Sequence, residues 1–162
     1  MAQRPTLHVA GWASWRTQGH HAPLPAPKYS IMSSAPEWAT PSGVVGALVP
    51  RGAELADLWL LLAARRAKEP VPEGVLARYR GALEARWEEA LARGWLAPGS
   101  LRFCAVRPNR SWGTDWWQVT SSTLCCACSV AESRAGRCHR SWLAPFLRRA
   151  GWQVVLDGEA LP

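Results

Sequence analysis

The chain has 162 residues, 48% of them hydrophobic and 19% charged, with a formal net charge of +7. That length holds one domain with a hydrophobic core, and that composition excludes a disordered chain. No run of about eighteen apolar residues offers a membrane-spanning helix, and no apolar segment follows Arg4 to make a secretion signal.

Leu7 to Ala10, bounded by Pro5 and Gly11, reads as a strand. A loop carrying His20 and His21 follows, then a second strand from Tyr29 to Met32. Ser34 to Pro50 is rich in Pro, Gly and Ser and reads as irregular. Ala53 to Arg66 predicts a helix whose core stripe is Leu55, Leu58, Trp59 and Leu62. Glu73 to Arg93 predicts a second helix, with Leu76, Tyr79, Leu83, Trp87 and Leu91 on one face. Leu101 to Val106 reads as a strand, and Pro108 to Trp117 as a loop with three tryptophans. Thr123 to Cys128 has the character of a buried central strand. Ser129 to Gly136 reads as a polar loop, His139 to Ala150 as a helix interrupted by Pro145, and Trp152 to Leu156 as a last strand stopped by Asp157-Gly158. Alternating strands and helices predict a single three-layer α/β domain over 1–162 with a mainly parallel sheet. Its irregular loops are placed at about 12–27, 34–52 and 107–118.

The positive charge rests on 17 arginines and only two lysines. Arginine suits bidentate contact with phosphate, although a GC-rich genome produces the same bias. Between Gly99 and Ala150, eight arginines against Asp115 and Glu132 leave +6. A site there attracts an anion such as a nucleotide or nucleic acid. The five cysteines are odd in number and three fall within four residues, which points to reduced thiols and a cytoplasmic setting.

Strand alternation puts Cys126 and Cys128 on one face and Cys125 on the other. Cys138 and His139 begin the following helix, where a positive partial charge and Arg137 and Arg140 push a thiol toward thiolate. Three chemistries stay open. Cys138 or Cys126 is a nucleophile, with His139 carrying protons and Arg140 holding an anion. Alternatively Cys126, Cys128, Cys138 and His139 ligate a metal, zinc being the ion that such a set takes. Or the cysteines fill the core, and His139 and Arg140 bond backbone carbonyls. Arg107, Arg110 and Arg137, with Trp116 beside Trp112 and Trp117, are candidates for gripping a sugar–phosphate chain or stacking on bases. A loop folded over the edge of the domain accounts for the same tryptophans.

Thr123 to Cys128, a polar loop, Cys138-His139-Arg140 and an apolar helix together resemble the signature of the domain of unknown function 488 family. The likeness is strongest over Leu124 to Leu147. It extends to Leu7–Trp15, to Tyr29-Ser30-Ile31 before Ala35-Pro36, to Leu48–Pro50 and to the helix bearing Tyr79. The family's main cysteine matches Cys126, and its Cys-His-Arg matches Cys138, His139 and Arg140. Cys128 stands where many members have an acidic residue, which removes a carboxylate and favours metal or redox chemistry. The resemblance implies an α/β fold and a cytoplasmic, phage or mobile-element setting, and supplies no reaction. The expectation is a small cytoplasmic protein whose Cys/His/Arg site binds or acts on a phosphate-bearing ligand, nucleotide or nucleic acid. Its alternative is a non-enzymatic, phage-type protein that binds a host protein or nucleic acid, with structural cysteines or a zinc site.

Overall fold

The computed structural model describes residues 5–11, 28–32, 43–99, 102–106, 112–116, 121–126 and 130–160. Among these residues eight strands make one sheet: β1 (Thr6–Gly11), β2 (Lys28–Ser30), β3 (Gly43–Val44), β4 (Arg102–Val106), β5 (Trp112–Trp116), β6 (Ser121–Cys126), β7 (Gln153–Leu156) and β8 (Glu159–Ala160). Their order is β5-β4-β3-β2-β6-β1-β7-β8. The run β3-β2-β6-β1-β7 is parallel, while β4 and β5 at one side and β8 at the other pair antiparallel. The helices are α1 (Ala53–Arg66), α2 (Glu73–Ala92), α3 (Val130–Arg134) and α4 (His139–Arg149). This is an α/β fold with a mainly parallel sheet.

The apolar strands take the middle, as parallel sheets require when both faces are covered. Leu7, Val9, Leu124 and Cys126 are all fully buried and join the main core. The opposite face is covered over β2 and β6, where Ser30 and Thr123 are 1% and 0% exposed, and partly open over β1 and β7, where His8 and Val155 are half-buried and Gln153 is exposed. Helix α4 lies on β7 and β1. Its Leu143, Phe146 and Leu147 are buried, each such side chain contributing roughly 1.5–3 kcal/mol. Helix α2 packs behind it through an edge-on Tyr79–Trp142 contact at 5.7 Å and a tilted Trp87–Phe146 contact at 5.8 Å.

The predicted stripe of α2 is correct: Tyr79, Leu83 and Trp87 are buried. That of α1 is out of phase, since Trp59 is 59% exposed. The buried residues of α1 are Glu54 and Asp57, with Leu58 and Leu61 packed partly beneath them. Glu54 accepts from Arg86, and Asp57 accepts a fork of bonds from Arg78 at 2.6–3.2 Å. Helix α1 is apolar nearly all round, so these polar contacts with α2 set its rotation.

Four segments differ from the sequence expectation. Within 34–52, Gly43–Val44 is a strand and Gly46–Leu48 a 3-10 turn. Within 107–118, Trp112–Trp116 pairs with β4 as an edge strand. Within 129–136, Val130–Arg134 is a short helix ended by Gly136 at φ +71. There Gly136 and Arg137 donate N–H bonds to the Ser133 and Glu132 carbonyls, both at 3.0 Å, a helix end that favours glycine at the left-handed position. Asp157 and Gly158 do not end the chain's extended structure. With φ +50 and +86 they turn a two-residue hairpin from β7 into β8.

Candidate functional site

Strand β6 runs through the middle of the sheet and ends at Cys126, level with Gly11 of β1. Cys138 is the extended residue that caps α4, and His139 and Arg140 form the start of its first turn. The cap is fixed from its carbonyl side, where the Ser141 hydroxyl donates to the Cys138 carbonyl at 2.6 Å. It is also held from the preceding residues, because the Trp142 indole donates to the Gly136 carbonyl at 2.9 Å. These contacts set Cys138 over the C-terminal end of β6, and the Cys126 and Cys138 sulfurs lie 3.4 Å apart. A disulfide needs about 2.05 Å, so the pair is two thiols in contact.

Arg140 turns inward from α4. Its Nη1 donates to the Cys126 sulfur at 3.5 Å, and its Nη2 meets Asp157 Oδ1 at 3.1 Å. Asp157 is presented by the β7–β8 turn, which is pinned to the sheet where the Asp157 N–H donates to the Val9 carbonyl at 2.9 Å. One guanidinium therefore ties together the end of β6, the start of α4 and the turn after β7. Burial works against its charge, but the Cys126 and Cys138 sulfurs and the Asp157 carboxylate outweigh that and raise its pKa above the usual arginine value.

Every member of this group is enclosed. Cys126 and Arg140 are 0% exposed, Cys138 1% and His139 2%. Spacing alone brings out Cys126, Cys138, His139 and Arg140; the fold brings Cys126 into contact with Cys138 and Arg140, and His139 is buried at the start of α4. Asp157 is the member that spacing misses. Its one signal is the Asp-Gly dipeptide after an apolar strand, which marks a hairpin turn and says nothing about where the carboxylate goes.

The other candidates fall elsewhere. Arg137 is exposed and lines a cavity of about 190 Å³ with Arg65, Lys68, Glu69, Glu132 and Leu76. Trp116 lies at the end of β5, on the edge of the sheet. Four strand spacings separate it from β6, about 19 Å at ~4.8 Å per strand. Arg107, Arg110, Trp117 and Cys128 lie outside the described residues, and so does the side chain of Cys125. Among the described residues no three His, Cys, Asp or Glu side chains converge as metal ligands. The charge beside Cys126 is a cation, which favours an anionic sulfur at that place over a second cation.

No protein-family profile, no curated protein and no solved structure matches this chain.

Proposed function

We propose that this chain is a small α/β protein centred on a thiolate at Cys126, and that the centre binds or acts on a phosphate-bearing ligand, a nucleotide or nucleic acid. The observation that carries this is the fully buried Arg140 guanidinium 3.5 Å from the Cys126 sulfur. Burial alone disfavours an ionised thiol, but a fixed cation in contact favours it, and in a low-dielectric interior the contact dominates. Cys138 is then the partner thiol and His139 the proton carrier. Arg140, enclosed and already paired with Asp157, is a positioning residue. The anion-gripping role passes to Arg137 with Arg65 and Lys68 around the cavity. Glu132 pairs with Arg65 there at 3.2 Å, so an arriving phosphate exchanges one carboxylate for itself. Membership of the domain of unknown function 488 family and a cytoplasmic location belong to the same proposal. No helix among the described residues is long and apolar enough to cross a membrane.

The test is the ultraviolet absorbance of thiolate in the folded protein as pH is lowered. One thiolate should persist well below the free-cysteine value of about 8.5 and vanish in Cys126→Ser. Equal titration of the two proteins near the free value sinks the thiolate assignment. Inorganic phosphate, a nucleoside monophosphate and a short single-stranded oligonucleotide are the binding probes. Binding should weaken with salt and with Arg137→Ala, and a failure of all three probes removes the phosphate ligand while leaving the thiolate.

One observation favours the non-enzymatic reading. Trp59 and Leu60 are exposed neighbours on α1, at 59% and 52%, and side chains of this kind anchor protein interfaces. A partner held there would be lost with Trp59→Ser while the Cys126 titration stayed unchanged.

A further inference from the structure

We infer that Cys126 and Cys138 form a redox-active dithiol that reduces small hydroperoxides and closes to an intramolecular disulfide. The inference rests on the thiolate assigned to Cys126 above but needs no phosphate ligand. Three features of the site lead to it.

The two sulfurs already touch at 3.4 Å, so forming the bond takes a closure of roughly 1.4 Å. They sit on independent elements, Cys126 at the end of β6 and Cys138 at the cap of α4. The movement is therefore a side-chain adjustment at a junction, and neither the sheet nor the helix has to unwind. The second feature is asymmetry. Arg140 Nη1 bonds Cys126, which makes Cys126 the attacking sulfur and Cys138 the resolving one. Redox-sensing cysteines pair an ionised attacking sulfur with a nearby resolving one and are reached from solvent; this pair has the first two properties. The third is enclosure. Cys126 is 0% and Cys138 1% exposed, so an oxidant reaches them only through local opening of the site, which favours a small one over a bulky one.

The chemistry balances. The Cys126 thiolate attacks one oxygen of hydrogen peroxide; the S–O bond forms, the O–O bond breaks and hydroxide leaves. That hydroxide takes the proton of the Cys138 thiol and becomes water. The Cys138 sulfur attacks Cys126; the S–S bond forms, the S–O bond breaks, and a second hydroxide leaves. It is protonated by the proton that Cys126 released on ionising. Peroxide gains two electrons, each sulfur loses one, and two thiols with one hydrogen peroxide give one disulfide and two waters.

The experiment treats the full folded chain with hydrogen peroxide, follows intact mass and maps the peptides. The expected result is loss of two hydrogens with a Cys126–Cys138 cross-link as the main product. Glutathione disulfide and cumene hydroperoxide should act at least about tenfold more slowly, because access governs the rate. In Cys138→Ala, which keeps a small apolar residue at the cap, Cys126 should instead stop at a sulfenic acid, read as the gain of one oxygen in the intact mass. A cross-link confined to other cysteines, or oxidation of Cys126 to higher acids with Cys138 present and unlinked, overturns the inference. If thiolate absorbance persists at low pH in that case, the thiolate assignment stands alone. If the absorbance is missing too, both fall together.

Discussion

Two arginine–carboxylate pairs in this molecule use the same chemical groups in opposite settings. Arg78 grips Asp57 between α1 and α2 with its own side chain 62% exposed. Arg140 meets Asp157 with the two side chains 0% and 8% exposed. Water screens the first pair, so its worth is small and largely geometric: it fixes the rotation of α1. The second pair gives up hydration worth several kcal/mol per ion. Apolar side chains in place of both partners could fill that space without the loss, so stability alone is a weak reason for the pair. The sulfur beside it supplies a stronger one.

Substitution of Arg140 separates the two settings most strongly. Arg140→Ala leaves Asp157 buried and unpaired beside a void, and should cost about 3–5 kcal/mol in urea unfolding. Arg140→Met fills the void but still leaves Asp157 without its cation, so it should recover only the packing part of that loss, and it should lose the low-pH thiolate. A methionine variant that kept that thiolate would show Arg140 to be structural only.

Next in size is Asp157→Asn. Asparagine tolerates the positive φ of the turn, so the hairpin should survive while the charge goes, at about 1–3 kcal/mol. Wild-type stability in this variant would mean that Arg140 does not depend on Asp157.

The exposed pair should respond to acid. Hydrogen bonding from Arg78 holds the Asp57 carboxyl below its ordinary value of 3.8, against an opposing push from burial. A depressed carboxyl stabilises the fold fully above that ordinary value, and the contribution fades as pH falls through the lower, folded one. Asp57→Asn should therefore flatten the acid limb of the stability curve by lowering stability at neutral pH, where the pair is fully formed, and leave strongly acid pH nearly untouched. An unchanged limb places the acid sensitivity in other groups.

The smallest effect belongs to Trp59→Ser, within about 0.5 kcal/mol. A larger loss would mean that the exposed face of α1 is packed against something.

The same contrast explains what could be read from the sequence. Helix α2 was legible because Tyr79, Leu83 and Trp87 recur every four residues with charges opposite. Helix α1 was legible in its bounds and misleading in its phase. Leu58 to Leu62 is apolar on every side, and the deciding contacts come from Arg78 and Arg86 on another helix. Cys126, Cys138, His139 and Arg140 could be picked out as a cluster because they are few, chemically distinct and close in sequence. Asp157 could not, since only the placement of β7 beside β1 brings its turn to Arg140. Trp116 and the Cys126 region looked like one basic segment on the chain, and the strand order sets them apart on the sheet.

The position of β1 has a temporal consequence. Its two neighbours in the sheet are β6 and β7, so Leu7 finds its partners Ser122 and Val154 only after most of the chain has emerged. Long-range parallel pairing is slow to nucleate, and synthesis at about 5–20 residues per second leaves the first strand waiting. Cys126, Cys138 and Arg140 come into register at the close of that sequence of events.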